Sequence, residues 1–387
     1  MVRSDFEILG REHVNDPEFL DQMAKANEDA DAIAHEVVNN ANTLFTWDYT
    51  KGARPRLEKL YEKAKTSQWN AETDLDWSIE VDPYGLFDGV DMSALPPTRA
   101  DLAAPAFSPV KNWGDGEWRE FEARMLQWRI SQFLHGEQGA LVCTAKIVET
   151  VPWIDAKYYA ATQVVDEARH VEVFAKYLDT KLEGRYPINL HLGMLLDDII
   201  NDARWDMTYL GMQVMVEGLA LAAFGMMQQS TSEPLLKKLL RYVMADEARH
   251  VAFGVLSLQE FYEELSQDEI VERQEFAFEA AVRMRDRFLT QEVWVDMGVD
   301  SKAMARILLE FPAEQQIFQQ LLFSKIVPNC RKLGLLDAGD GWLRDRFTDI
   351  GVIQFEHEAD TGEEYEDFDF VAKDRAATAQ VAGAAAG

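Results

Sequence analysis

The sequence predicts an all-α protein built around a four-helix bundle, and three observations point there. Apolar residues recur at three- and four-residue spacing through long stretches, with no competing strand alternation. Proline and glycine clusters fall between those stretches rather than inside them. One pentapeptide, Asp-Glu-Ala-Arg-His, occurs at Asp166–His170 and again at Asp246–His250, as expected if two similar helical hairpins share one chain.

The elements follow in order. Asp16 to about Phe45 and Arg54 to about Trp69 read as N-terminal helices. From Trp69 to Asp115 the chain carries Pro83, Pro96, Pro97, Pro105 and Pro109 among scattered aromatics, which reads as an irregular wrap. Long amphipathic segments then run over Glu117–Val151, ended by Pro152, and over Trp153 to about Leu182, ended by the turn before Pro187. A short helix is expected at Leu190–Ile200, and a longer one at Asp202–Gln229. Ser232 is a plausible N-cap for the next helix, Leu235–Leu265, with Pro234 in its first turn. Gln267–Trp294 and shorter helices to about Leu335 complete the set, and the chain after Ala359 reads as disordered because it turns acidic and then Ala/Gly-rich. The expected division is 1–115 for N-terminal helices and wrap, 116–335 for the bundle with its extra helices, and 336–387 for the C-terminal segment.

Composition removes several function classes. A formal charge of −30 over 387 residues disfavours nucleic acid, which needs a basic face. Eight of those acids lie between Glu356 and Phe370. Two cysteines, Cys143 and Cys330, cannot build a disulfide framework or a Cys-based zinc site. The first residues lack the apolar run of a signal peptide, so a cytoplasmic protein is expected. The most apolar stretch, Leu210–Met227, carries Glu217 near its middle and is read as a buried core helix rather than a membrane span.

The chemistry lies in the repeat. Thirty residues before Glu167 stands Glu137, and thirty before Glu247 stands Glu217. Pro152 and Ser232 mark the two midpoints. Each unit is therefore a helical hairpin whose two acids sit at equal height, roughly 22 Å from the turn at 1.5 Å per residue. Within Glu-x-x-His the i, i+3 spacing puts carboxylate and imidazole on one face. Four helices then offer Glu137, Glu167, His170, Glu217, Glu247 and His250 to one point, the ligand set of ferritin-like dimetal bundles. Glu137 is the only charged residue from Ser131 to Ala145, and Glu217 the only one from Gly211 to Gln228. A lone buried carboxylate is costly unless neutralised, and two divalent ions against four carboxylates sum to zero. Asp166, Asp246, Arg169 and Arg249 are expected behind the histidines, because a metal-bound imidazole usually donates its other N–H to a carboxylate. Phe133, Gln213, Leu221 and Phe224 lie a turn or two from Glu137 or Glu217 and are candidates to line a substrate pocket, or plain core. His13, His35, His135, His191 and His357 lack such company and read as ordinary histidines.

With both Asp-Glu-Ala-Arg-His motifs and their upstream acids, the segment from about Glu117 to Leu265 resembles the carboxylate-bridged diiron oxygenases. Hydroxylase subunits of bacterial multicomponent monooxygenases share the Asp-Glu-x-Arg-His form, and the p-aminobenzoate N-oxygenase group shares the duplicated spacing. The resemblance implies a ferritin-like bundle with two iron ions, manganese or a mixed pair being open on ligand type. It also implies O2 activation for oxidation or oxygenation of a small organic substrate. No flavin, nicotinamide or iron–sulfur motif appears, so an external electron donor or reductase is implied, and a homodimer is left open. Two departures stand out. The N-oxygenase group has an additional histidine seven residues before its last ligand, where this chain has Val243, with Gln163 at the equivalent place in the first repeat. The radical tyrosine of the ribonucleotide reductase small subunit corresponds to Phe174, and to Gly254 in the second repeat. The alternatives to an oxygenase are a ferroxidase, iron-handling or peroxide-detoxifying protein, and a subunit whose metal is only structural.

Overall fold

The computed structural model describes residues 14–27, 34–85, 97–312, 317–368, 370–371 and 373–374. Among them there is helix, turn and irregular chain, and no strand. We label the principal helices α1 (Pro55–Thr66), α2 (Asp115–Thr150), α3 (Ile154–Lys181), α4 (Leu190–Asn201), α5 (Trp205–Ser230), α6 (Pro234–Tyr262) and α7 (Gln267–Asp286).

Local chemistry sets the ends of these helices. Helix α2 starts where Glu117 reaches back to the Gly114 N–H, and stops where Val151 turns extended ahead of Pro152. Asn189 caps α4 by accepting from the N–H groups of His191 and Leu192. Pro234 opens α6, so the cap is Glu233, which accepts from Leu235 and Leu236, and not Ser232 as expected. Ser266 and Glu269 form a reciprocal capping box on α7.

Helices α2 and α3 pack along their length as one antiparallel hairpin, α5 and α6 form the second, and α3 meets α6 between them. Helix α1 lies across α3 and α6. One continuous apolar core runs from Leu57 on α1 to Val371 near the C-terminus, so all three expected stretches contribute to it.

Helix α5 is irregular at a telling place. Leu210–Val216 is wound as a π-helix, and the Glu217 N–H bonds to Met212 O, five residues back. Such widened turns often occur at functional sites. Gly254 on α6 makes room for this one, since a Cβ there would lie 2.6 Å from Gln213 Cβ. By length and composition Trp205–Ser230 could cross a membrane, but it is mostly buried within the protein, as a core helix is.

Four expectations need correction besides the Ser232 cap. The N-terminal helix covers only Pro17–Met23, and 34–50 is irregular, mostly exposed chain without helix; residues 28–33 lie outside the described residues. Its Asn and Asp side chains serve nearby backbone instead of a helix, as in Ala41 N–H to Asn39 Oδ1 at 3.0 Å and Thr50 N–H to Asp48 Oδ1 at 3.0 Å. The wrap between 69 and 115 contains a short capped helix, Arg99–Ala103. The helix expected to reach Trp294 ends at Asp286; Thr290, left-handed at φ 49°, turns the chain so that Trp294 stacks on Phe121, 4.4 Å between centroids. Finally, the segment after Ala359 is packed. Thr361 exchanges hydrogen bonds with Asn329, while Tyr365 and Val371 enter the core beside α6. Lys59 pairs with Glu366 and Arg241 with Asp374, which offsets the tail's acidity. Residues 375–387 lie outside the described residues.

Candidate metal centre

The bundle brings the six sequence-derived ligands together at its centre. Glu137 comes from α2, Glu167 and His170 from α3, Glu217 from the end of the π segment in α5, and Glu247 and His250 from α6. All six are buried. Their ligand atoms fall into two groups, each within 4.8 Å: Glu137, Glu167, His170 and Glu247 in one, and Glu167, Glu217 and His250 in the other. Glu167 belongs to both. Glu247 is similarly placed, its Oε1 lying 3.0 Å from His170 Nδ1 and 3.6 Å from His250 Nδ1. The two imidazole centroids are 5.8 Å apart.

Each imidazole presents Nδ1 to the centre and Nε2 outward, and the outward contacts cross the pseudo-twofold axis. His170 Nε2 lies 3.1 Å from Asp246 Oδ2, and His250 Nε2 lies 3.3 Å from Asp166 Oδ2. An aspartate that accepts the Nε2–H leaves the Nδ1 lone pair free to face inward. Arg169 donates to Asp246 at 2.9 Å and to Asp166 at 2.5 Å. Arg249 pairs with Asp246 and also reaches the Ala245 carbonyl at 2.8 Å. Two aspartates and two arginines thus form a charge-neutral buried layer behind the histidines.

Sequence reasoning missed three polar side chains here. Trp69 donates its indole N–H to Asp246 Oδ2 at 2.7 Å, and Gln68 donates to Asp166 Oδ1 at 2.9 Å while accepting from Arg169 Nη1 at 2.8 Å. Both sit just past the end of α1, and no spacing in the sequence ties them to the repeat. Gln163 was noted only as the counterpart of the N-oxygenase histidine. It donates to Glu167 Oε1 at 2.9 Å and to Glu217 Oε1 at 3.1 Å. Val243, at the same place in the second repeat, is buried and apolar.

The pocket candidates are all buried. Phe133 and Phe224 meet edge-on at 4.6 Å and enclose Phe174, the residue one turn beyond His170, at 5.9 and 5.7 Å. Leu221 is buried on the same α5 segment as Phe224. Gln213 lies on the other side, donating weakly to Thr144 Oγ1 at 3.4 Å, with its Oε1 unpaired. The other histidines are elsewhere: His135 bonds to Tyr186 O, His191 to Met23 O, and His35 to Asp197, while His357 is exposed and His13 lies outside the described residues.

The electrostatics show a centre short of positive charge. Burial pushes the carboxyls of Glu137 and Glu217 well above the ordinary range, and the carboxylates of Glu247 and Glu167 beside them add to the effect. Burial acts the same way on Glu167, but His250 and His170 overcome it and hold it low. Burial alone would lower both histidines. Glu137 raises His170 well above its usual value, and Glu167 and Glu247 do so for His250. Burial likewise opposes ionisation of Asp246, which Arg249, His170 and Arg169 nevertheless keep well below the normal range.

The donor set passes a test for metal. Buried polar atoms normally find partners, yet Glu167 Oε2, Glu217 Oε2, both Glu247 oxygens and His250 Nδ1 make no hydrogen bond. His250 Nδ1 lies only 3.0 Å from Glu167 Oε1 without making one. These unpaired atoms belong to four of the six proposed ligands and converge on one point. Carboxylate oxygen and imidazole nitrogen suit iron or manganese.

Residues 146–334 match the family described as P-aminobenzoate N-oxygenase AurF. That match, just under half of the chain, together with the buried carboxylate–histidine cluster supports a ferritin-like diiron oxygenase. The match begins in the last turn of α2, beyond Glu137, runs through α3 to α7 and on to residue 334, and holds despite Val243 in place of that group's additional histidine. No curated protein matches the sequence. Among solved structures, it is similar to an R2-like ligand-binding oxidase with aerobically reconstituted metal cofactor after photoconversion, at 17% identity and a TM-score of 0.46, covering 73% of this chain and 94% of that one. A second is the same oxidase with an aerobically reconstituted Mn/Fe cofactor, at 16% identity and a TM-score of 0.44, covering 74% and 93%. The family match and the buried carboxylate–histidine cluster support an O2-activating dimetal oxidoreductase, and the described residues are all-helical.

Proposed function

We propose that this chain is an oxygenase or oxidase that uses O2 at a dinuclear iron site to oxidise a small organic substrate. In this reading Glu137, Glu167 and His170 serve one ion with Glu247, and Glu217, Glu247 and His250 serve the other with Glu167. Glu167 and Glu247 each approach both histidines and would therefore be available to both ions. The bound metals would supply the electrons and Lewis acidity for O2 reduction, with an external donor restoring them.

The protein's own groups do the rest. Asp246 and Asp166 hold the two imidazoles with Nδ1 inward. Gln163 ties Glu167 to Glu217 and restrains both carboxylates. The Phe133–Phe174–Phe224 cluster and Leu221 keep water from one side of the centre and favour an apolar guest over a hydrated cation. A storage protein would need acids leading iron away, but the α5 run from Gly218 to Met227 is uncharged. That uncharged wall is the observation that favours an oxidation enzyme.

The test is O2 uptake by protein loaded anaerobically with Fe(II). Uptake of about one O2 per dinuclear site, with O2-dependent oxidation of an organic compound, is expected. Accumulation of many tens of ferric ions per chain, with no organic oxidation, would overturn the proposal. Leu221→Trp should alter substrate turnover more than iron content.

A further inference from the structure

Five buried hydroxyls among the described residues make no hydrogen bond: those of Tyr159, Thr208, Tyr209, Ser257 and Tyr262. All five lie at one end of the bundle, near the start of α3, the start of α5 and the end of α6. The rings of Tyr159 and Tyr209 both pack on Phe253, three residues past His250, at 4.4 and 5.0 Å between centroids. Tyr209 faces the Ser257 hydroxyl without a formed bond. Inward, Tyr159 lies within the field of His250 and Arg249. Gln213 Oε1, also unpaired, stands one turn before Glu217. Outward, Asp206 lies one turn before Tyr209 and is held by Arg273 at 2.9 Å, with Tyr262 beside the pair. Arg273 also reaches Glu272 at 3.2 Å, and Glu272 is exposed to solvent.

We infer that these hydroxyls line a file of water that carries protons from solvent at Glu272 and Asp206 to the metal centre. Leaving a buried hydroxyl without a partner is costly, so five at one place call for an occupant that both donates and accepts. Water is such an occupant, and in interior sites it typically bonds to several otherwise unsatisfied groups. Tyr159 and Tyr209 stand eight residues before Glu167 and Glu217, roughly 12 Å along their helices at 1.5 Å per residue. That distance is too great for direct hand-over, and bridging waters close it.

The need for protons follows from the oxidation reading, on which this inference rests. Reducing O2 to two waters takes four electrons and four protons. Inserting one oxygen atom into a substrate takes two of each and releases one water. The external donor supplies the electrons and solvent supplies the protons. The opposite side of the centre is closed by the Phe133–Phe174–Phe224 cluster. A hydroxyl relays a proton by accepting on a lone pair while donating its own. Burial raises the phenols of Tyr159 and Tyr209 above their ordinary range, so both stay neutral. Burial also raises Asp206, against the pull of Arg273, which suits a carboxyl that takes up and returns a proton. An electron relay through the rings needs a base to receive the phenol proton, and neither phenol is bonded to one.

Iron-loaded, reduced protein mixed with O2 in H2O and in D2O tests this. Tyr209→Phe/Ser257→Ala removes two hydroxyls while keeping the ring packing. Its iron content should match the wild type, while its reoxidation slows by about 10-fold or more and its solvent isotope effect rises. Tyr177→Phe, which loses a buried hydroxyl bonded to Glu233 instead, should change neither. A crystal structure of the iron-loaded wild type should show ordered waters bonded to the Tyr159 and Tyr209 hydroxyls. A dry column overturns the inference, and so does a double variant with the wild-type rate and isotope effect. A tyrosyl radical abolished by Tyr209→Phe would assign these rings to electron transfer and overturn it as well. Wild-type protein that takes up no O2 sinks the oxidation reading and this inference with it, whereas failure of the inference alone leaves O2 uptake intact.

Discussion

Asp246 and Asp166 order the two histidines from behind. Asp246 receives Trp69 and Arg169, pairs with Arg249 and faces His170 Nε2. Asp166 plays the matching part for His250, with Gln68 in place of the indole. Asp246→Asn and Asp166→Asn should each weaken metal affinity by about 10- to 100-fold while keeping the fold, read by competitive metal titration. Undiminished affinity in both would remove these residues from the account. Asp246→Ala is harsher, because it removes the nearest carboxylate from both Arg249 and His170 in the interior, and a loss of about 3–5 kcal/mol in stability is expected. Protonation gives a second test at this scale. In the metal-free chain the pKa values of His170, His250, Glu137 and Glu217 are all raised, so the site binds protons more tightly than the same side chains do in water. Metal must displace those protons. Loading should therefore release protons, and apparent affinity should rise with pH and fall as pH drops. Calorimetry in buffers of different ionisation enthalpy reads the release directly, and proton-neutral, pH-independent binding would count against the assignment.

At the scale of elements, the four bundle helices were legible because each carries its period, its stop signal and a chemically expensive acid. Pro152 and Pro234 mark the two hairpin turns in the sequence and in the structure alike. The π segment was not legible, since nothing in Leu210–Val216 distinguishes a five-residue hydrogen-bond step from a four-residue one. Its support is tertiary, and Gly254→Ala tests it. The new methyl would lie 2.6 Å from Gln213 Cβ, so a loss of about 1–3 kcal/mol with a disturbed Glu217 is expected, read by denaturant midpoint and metal content. Unchanged stability and metal content would show that the packing there is loose. Segment 34–50 was misread as helix because its apolar spacing resembles one, while its asparagines and threonines decide otherwise. Acidity hid the tail's apolar positions, Tyr365, Phe368 and Val371, three residues apart. Truncation after Ala359 exposes the core beside α6 and should lower stability by at least about 2 kcal/mol. A truncated chain melting like the wild type would mean that the tail packs without consequence.

At the scale of the molecule, the duplicated unit explains why the six candidate ligands could be named from sequence while the side chains behind them could not. Repetition fixes helix register and therefore which acids converge. Gln68 and Trp69 come from α1, outside the repeat, and only the tertiary fold brings them behind the histidines. The same repeat makes the charge balance a property of the whole bundle: four helices each bury one carboxylate, and two divalent ions would neutralise all four. Dinuclear binding is thus the claim on which the rest depends. It is tested most directly by the metal content of protein loaded anaerobically with Fe(II) and freed of excess metal. The account predicts about two irons per chain. A value that saturates near one, or zinc retained in preference to iron, would contradict it.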